Sequence, residues 1–131
     1  MASLSEQFHS ADWKKEKHVP VIECLDEVTA GEIFEVKLSI GKEVPHPNTT
    51  EHHIRWIALY FKADDEKFTY EVGRFDFAAH GESTGGADKG PVYTDHTVTA
   101  RLSINKPGVL LAASLCNIHG LWQNSKAIAV G

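Results

Sequence analysis

Sulfur is scarce in this sequence: of 131 residues only Cys24, Cys116 and Met1 carry it. Two cysteines allow at most one disulfide, and a 14.5 kDa chain is long enough to bury a single core without that staple. Long apolar runs are missing. None approaches the roughly 20 residues that span a bilayer, and the opening MASLSEQFHSADWKKEKHVP lacks the apolar stretch of a signal peptide. A cytoplasmic protein with no membrane partner is expected. Positive charge is also in short supply, with 13 Lys and Arg against 18 Asp and Glu for a formal net charge of -5. Nucleic acid is therefore not an expected partner, because phosphate binding needs clustered cations and the one cluster is Lys14, Lys15 and Lys17.

Helical periodicity is hard to find, whereas period-two alternation recurs. In IFEVKLSIG, Phe34, Val36, Leu38 and Ile40 fall on one face, and Glu35, Lys37 and Ser39 on the other. VTARLSI repeats the pattern with Val98, Ala100, Leu102 and Ile104 inward, and IRWIALYF is apolar enough for a strand covered on both sides. VPVIECL, KFTYEVGRFDF, GVLLAASL and KAIAV bring the number to about seven, separated by turn signals such as TAGE, GKEVPHPN, KADDEK and NKPG. This pattern predicts a single all-β domain over residues 1–131, an immunoglobulin-like antiparallel β-sandwich. Residues 1–11 read as a tail or interface arm, and AAHGESTGGADKGPVY as a mobile surface loop or a lid.

What the chain has in plenty is histidine, eight in all, and the notable ones cluster. EKHVP contains His18, HPNTTEHHI contains His46, His52 and His53, and CNIHGLW contains Cys116 and His119. Imidazole is the commonest transition-metal ligand, and a thiolate beside it selects iron, copper or zinc over magnesium or calcium. The prolines around His46 stiffen the backbone that presents it. His52 and His53 are adjacent, so at a strand entrance they point to opposite faces and only one can share a metal with His46. Alternation does not say which. Taking one of that pair gives four imidazoles and one thiolate. These are too many for a tetrahedral structural zinc, and they leave one octahedral position open.

EKHVP, HPNTTEHHI and CNIHGLW, in this order and spacing, together with AAHGES, resemble superoxide reductase of the one-iron or neelaredoxin class, over about residues 12–122. The resemblance implies a mononuclear non-haem iron with His18, His46, His52 and His119 as equatorial ligands and Cys116 axial. It resolves the adjacent pair in favour of His52. It also implies Lys17 as the group that attracts superoxide and helps deliver protons, and Glu16 as a carboxylate closing the sixth position in the oxidised state only. Superoxide would be reduced by one electron to hydrogen peroxide, with a rubredoxin-like donor and a homotetrameric assembly. The N–H groups of Ile118 and His119 are expected to bond the Cys116 sulfur and tune it. Two other readings use the same residues, a blue-copper-like electron-transfer sandwich and a structural zinc module. The first has no well-placed axial group beyond Gln123, and both leave histidines without a role.

Overall fold

Alternating residues become strands wherever a neighbouring ladder completes them, as a computed structural model describing residues 1–131 shows. After a short 3-10 turn at Leu4–Gln7 come β1 (Val21–Glu23), β2 (Glu27–Val28), β3 (Phe34–Ser39), β4 (Ile54–Ala63), β5 (Tyr70–Asp76), β6 (Thr97–Leu102), β7 (Gly108–Cys116) and β8 (Gly120–Val130). One sheet runs β1-β3-β6 and the other β2-β8-β7-β4-β5. No helix is long and apolar enough to cross a membrane.

The two sheets pack as an immunoglobulin-like sandwich, and their inner faces carry the residues that alternation marks. Val36, Leu38 and Ala100 from the smaller sheet join Ile57, Leu59, Leu110, Ala112 and Ile128 from the larger in one apolar cluster. β4 is covered on both sides only at its centre, where Ile57, Ala58 and Leu59 are each 0% exposed. Arg55 before them is exposed and Trp56 is half-buried.

Two expectations need correction. To the expected strands, about seven, the structure adds β2, which pairs in parallel with the end of β8, so the sandwich is not wholly antiparallel. Two residues are too short for alternation to register. β8 also starts at Gly120 rather than Lys126, because Cys116↔Gly120 begins a ladder with β7 that carries the polar stretch Gln123–Ser125 into the sheet.

Three loops converge at one end of the sandwich. β7 delivers Cys116 and turns to β8 through Gly120, whose φ of +79° suits a residue without Cβ. β4 begins at Ile54, opposite Cys116, with a register shift before Trp56 that bends the strand entrance. The segment before β1 is fastened to the larger sheet by Ser114 Oγ donating to the His18 carbonyl (3.4 Å) and Asn124 Nδ2 to the Pro20 carbonyl (3.0 Å).

The glycine-rich segment, expected as a mobile loop or a lid, is tied to the turn that carries His46 and His52. Thr50 Oγ1 donates to the His80 carbonyl (2.6 Å) and accepts from the Asp88 N–H (3.0 Å), while Asp88 Oδ1 accepts from the Thr50 N–H (2.9 Å). Asp88 holds a φ of +59° to make this exchange, the only non-glycine residue with positive φ. A side chain at Gly81 would meet the Tyr93 hydroxyl. The N-terminal arm is likewise fixed: the His9 N–H donates to the Leu121 carbonyl and the Gln123 N–H to the His9 carbonyl, both at 3.0 Å.

Because Leu59 is fully enclosed, truncating it to alanine should cost about 2–5 kcal/mol of unfolding free energy in urea titrations. A loss below about 1 kcal/mol would mean that the space between the sheets is not close-packed there.

Candidate metal centre

Four imidazoles stand around one point at the loop end. Successive ring centroids are 4.9 Å apart for His18 and His46, 4.8 Å for His46 and His52, 5.0 Å for His52 and His119, and 4.7 Å for His119 and His18. The His18–His52 diagonal is 6.4 Å, longer than any side, so the rings form a near-square. Ligand atoms of His18, His52, Cys116 and His119 all lie within 4.8 Å of one another. His46 closes the ring from outside that tightest group. Cys116 is 1% exposed whereas His119 is exposed and His52 half-buried, so the sulfur lies on the protein side.

The outward ring nitrogens explain which way the inward ones face. His46 Nδ1 donates to the Pro47 carbonyl at 2.6 Å, and His18 Nδ1 donates to Glu16 Oε1 at 2.7 Å. Each bond fixes the tautomer and leaves Nε2 with a lone pair. The Nε2 atoms of His46 and His52 are buried and have no hydrogen-bond partner. Burying an unpaired imidazole nitrogen is costly, and two converging on one centre fit a Lewis acid that they would bind. His119 turns its Nδ1 inward, 3.2 Å from His18 Nε2 and 3.8 Å from Cys116 Sγ.

Burial favours the neutral form of three of the rings, which is the form of imidazole that binds metal. It lowers the pKa of His18, with Glu16 partly opposing, and that of His52, where His119, His18 and Lys17 add to the effect. His46 is pushed from 6.5 to about 4, mainly by burial and against the Pro47 carbonyl. The hydrogen bond from His18 holds the Glu16 carboxyl below the usual carboxylate range. In this arrangement Glu16 braces the outer edge of His18. Lys17 is half-buried, and its charge acts on Glu16, His18 and His52.

The sulfur accepts a hydrogen bond from the His119 N–H at 3.4 Å. The Ile118 N–H makes none: the turn closes so that the third residue, not the second, points back, and the Ile118 side chain is left 56% exposed. His53 lies apart from the ring. Its Nδ1 donates to the Thr49 carbonyl (2.9 Å), and its ring stacks on His80 at 3.5 Å with 7° between planes.

Trp122 follows directly on the ligand loop. It is half-buried, stacks on His18 at 4.9 Å and 16°, and donates from Nε1 to the His119 carbonyl at 3.2 Å. His9 also packs against Trp122, with ring centroids 5.1 Å apart and 40° between planes, a role that nothing in the arm's composition signals.

Fold and site together define a β-sandwich metalloprotein whose centre combines several histidines with a single cysteine. The sequence comparisons narrow this class. The desulfoferrodoxin family model matches residues 10–125, and the chain belongs to that family. It is 61% identical over 127 residues to neelaredoxin of Megalodesulfovibrio gigas, covering 97% of this chain and 98% of the relative. Among solved structures, a Thermotoga maritima protein superposes with a TM-score of 0.98 at 50% identity, over 100% of this chain and 99% of that one. The reduced superoxide reductase (neelaredoxin) of Archaeoglobus fulgidus gives 0.88 at 53% identity, over 95% and 99%.

The depressed His46 pKa has a pH signature in metal-free protein. The unfolded chain binds this proton more tightly, so the stabilisation is complete above about pH 6.5 and is lost as pH falls toward about 4. Unfolding titrations across that window should show a steeper decline for the wild type than for His46→Gln. Parallel profiles would contradict the assignment.

Proposed function

We infer that the protein is a superoxide reductase, converting superoxide, one electron and two protons to hydrogen peroxide. The observation that carries this is the near-square of imidazoles with unpaired inward nitrogens beside one buried cysteine. His18, His46, His52 and His119 would hold an iron ion with Cys116 as its thiolate ligand. Five donors of this kind leave an octahedral ion one free position and exceed a tetrahedral zinc site. When bound, the iron supplies a one-electron couple.

The remaining work belongs to the chain. Superoxide is an anion and the protein carries a formal net charge of -5, so its overall field is repulsive. Lys17, beside the ring, provides local attraction, with Lys14 and Lys15 on the same segment. In this reading Lys17 would also pass protons to the reduced product, directly or through water. The His119 N–H draws charge from the sulfur and moderates its donation. Glu16, bonded here to His18 at 2.7 Å, is the carboxylate that the family resemblance would assign to the sixth position in the oxidised state. A rubredoxin-like carrier as donor and a homotetramer complete the reading, both supported by the family resemblance.

The direct test is peroxide produced per superoxide consumed, with a reductant supplied. A yield near one peroxide per superoxide is expected, and one per two would make the protein a dismutase. Freshly purified protein should hold about one iron per chain and show a thiolate-to-iron charge-transfer band when oxidised; copper or zinc in its place would overturn the reading.

Two variants probe individual roles. Cys116→Ser should abolish the band, and its survival would remove the cysteine from the iron. Lys17→Ala should slow the second-order reaction with superoxide roughly tenfold at low salt and flatten its ionic-strength dependence. An unchanged rate would eliminate the steering role.

A further inference from the structure

The β4–β7 ladder cannot by itself set the position of Cys116 relative to His52. Its last pair is Ile54↔Cys116, and a register shift separates that pair from the regular ladder beginning at Trp56. Cys116 therefore ends β7, whereas His52 lies two residues before the first residue of β4. What spans the gap is one residue, through its side chain and its peptide. Asn117 Oδ1 accepts from the His53 N–H at 2.9 Å, and Nδ2 donates to the Glu51 carbonyl at 2.8 Å. The Asn117 peptide N–H donates to the His53 carbonyl at 3.1 Å.

We propose that Asn117 is a positioning residue that fixes the Cys116 sulfur against the His52 imidazole by bracketing His52 from both sides. Resting on the iron site of the proposed function, this adds to it a residue that touches neither iron nor superoxide. Three features carry it. The residue directly follows Cys116, and its bonds reach the neighbours on each side of His52. They use the amide as both acceptor and donor, a combination that aspartate cannot supply and that serine cannot span. The bonds also join two ligand-bearing loops to each other rather than to the core, so their loss shifts the donors relative to one another before it loosens the sandwich.

Asn117→Asp is the sharpest probe. It keeps the acceptor for the His53 N–H but turns an oxygen toward the Glu51 carbonyl, where two acceptors repel. Asn117→Ala removes both side-chain bonds. In iron-loaded protein each variant should displace the thiolate-to-iron charge-transfer band, change the rhombicity of the ferric electron paramagnetic resonance signal, and release iron to a chelator about tenfold faster than wild type. Band, resonance signal and release rate all matching wild type would overturn the proposal, whatever happens to the melting temperature, because a merely structural asparagine would move only that. Amide hydrogen exchange of the wild type gives a reading that needs no variant. The His53 and Asn117 amides should be protected to the level of the β4–β7 ladder, and free exchange at both would also overturn it. A wild type that shows no band at all would instead sink the iron reading itself, which keeps the two failures distinct.

Discussion

Everything at the loop end of this protein follows from the cost of burying imidazole nitrogens without hydrogen bonds. Neutral histidine has one donor and one acceptor nitrogen, and the protein spends the donors of His18 and His46 on Glu16 and the Pro47 carbonyl. The acceptor of His46 is then left buried with nothing to accept, and Nε2 of His52 is likewise buried without a partner. A fold tolerates such groups when something binds them or when strain there serves a purpose. A metal resolves the cost, and the thiol of Cys116 beside them narrows the choice of metal.

Holding four rings at near-equal spacing demands more than the sandwich alone supplies, since the donors sit on loops rather than within strands. Each loop is tied to something rigid. Ser114 and Asn124 anchor the segment carrying His18. The Thr50–Asp88 exchange pins the turn bearing His46 and His52 under the glycine-rich segment. Trp122 packs on His18 while bonding the His119 carbonyl, and is itself backed by His9 from the arm. Of the four rings, that of His119 belongs to an exposed residue, and Lys17 beside His18 is half-buried.

Much of this was legible in the chain, for physical reasons that also mark where legibility stops. Period-two alternation identified β3 and β6 because their inner residues, Val36, Leu38 and Ala100, face a core while Glu35, Lys37 and Arg101 face water. It could not find β2, which is two residues long, or the polar first half of β8, which is strand only because β7 lies beside it. Local motifs drew attention to His18, His46, Cys116 and His119 because proline and turn residues flank them. Alternation separated His52 from His53 without choosing between them, and family resemblance made the choice. The contacts that position the site stayed hidden, since Thr50 with Asp88, Asn117 with Glu51, and His9 with Trp122 join residues far apart in sequence. No local pattern encodes such pairs. The glycines of residues 78–93 suggested mobility for the same reason: composition reports what the backbone is free to do, not which bonds restrain it.

The central claim is that one cysteine and four histidines share a single iron. X-ray absorption at the iron edge of the loaded, reduced protein tests it most directly, because the fine structure distinguishes sulfur from nitrogen neighbours and multiple scattering counts imidazole rings. One sulfur and four imidazole nitrogens are the expected coordination sphere. A sphere with no sulfur, or one in which His46→Gln leaves four imidazoles still in place, would contradict it.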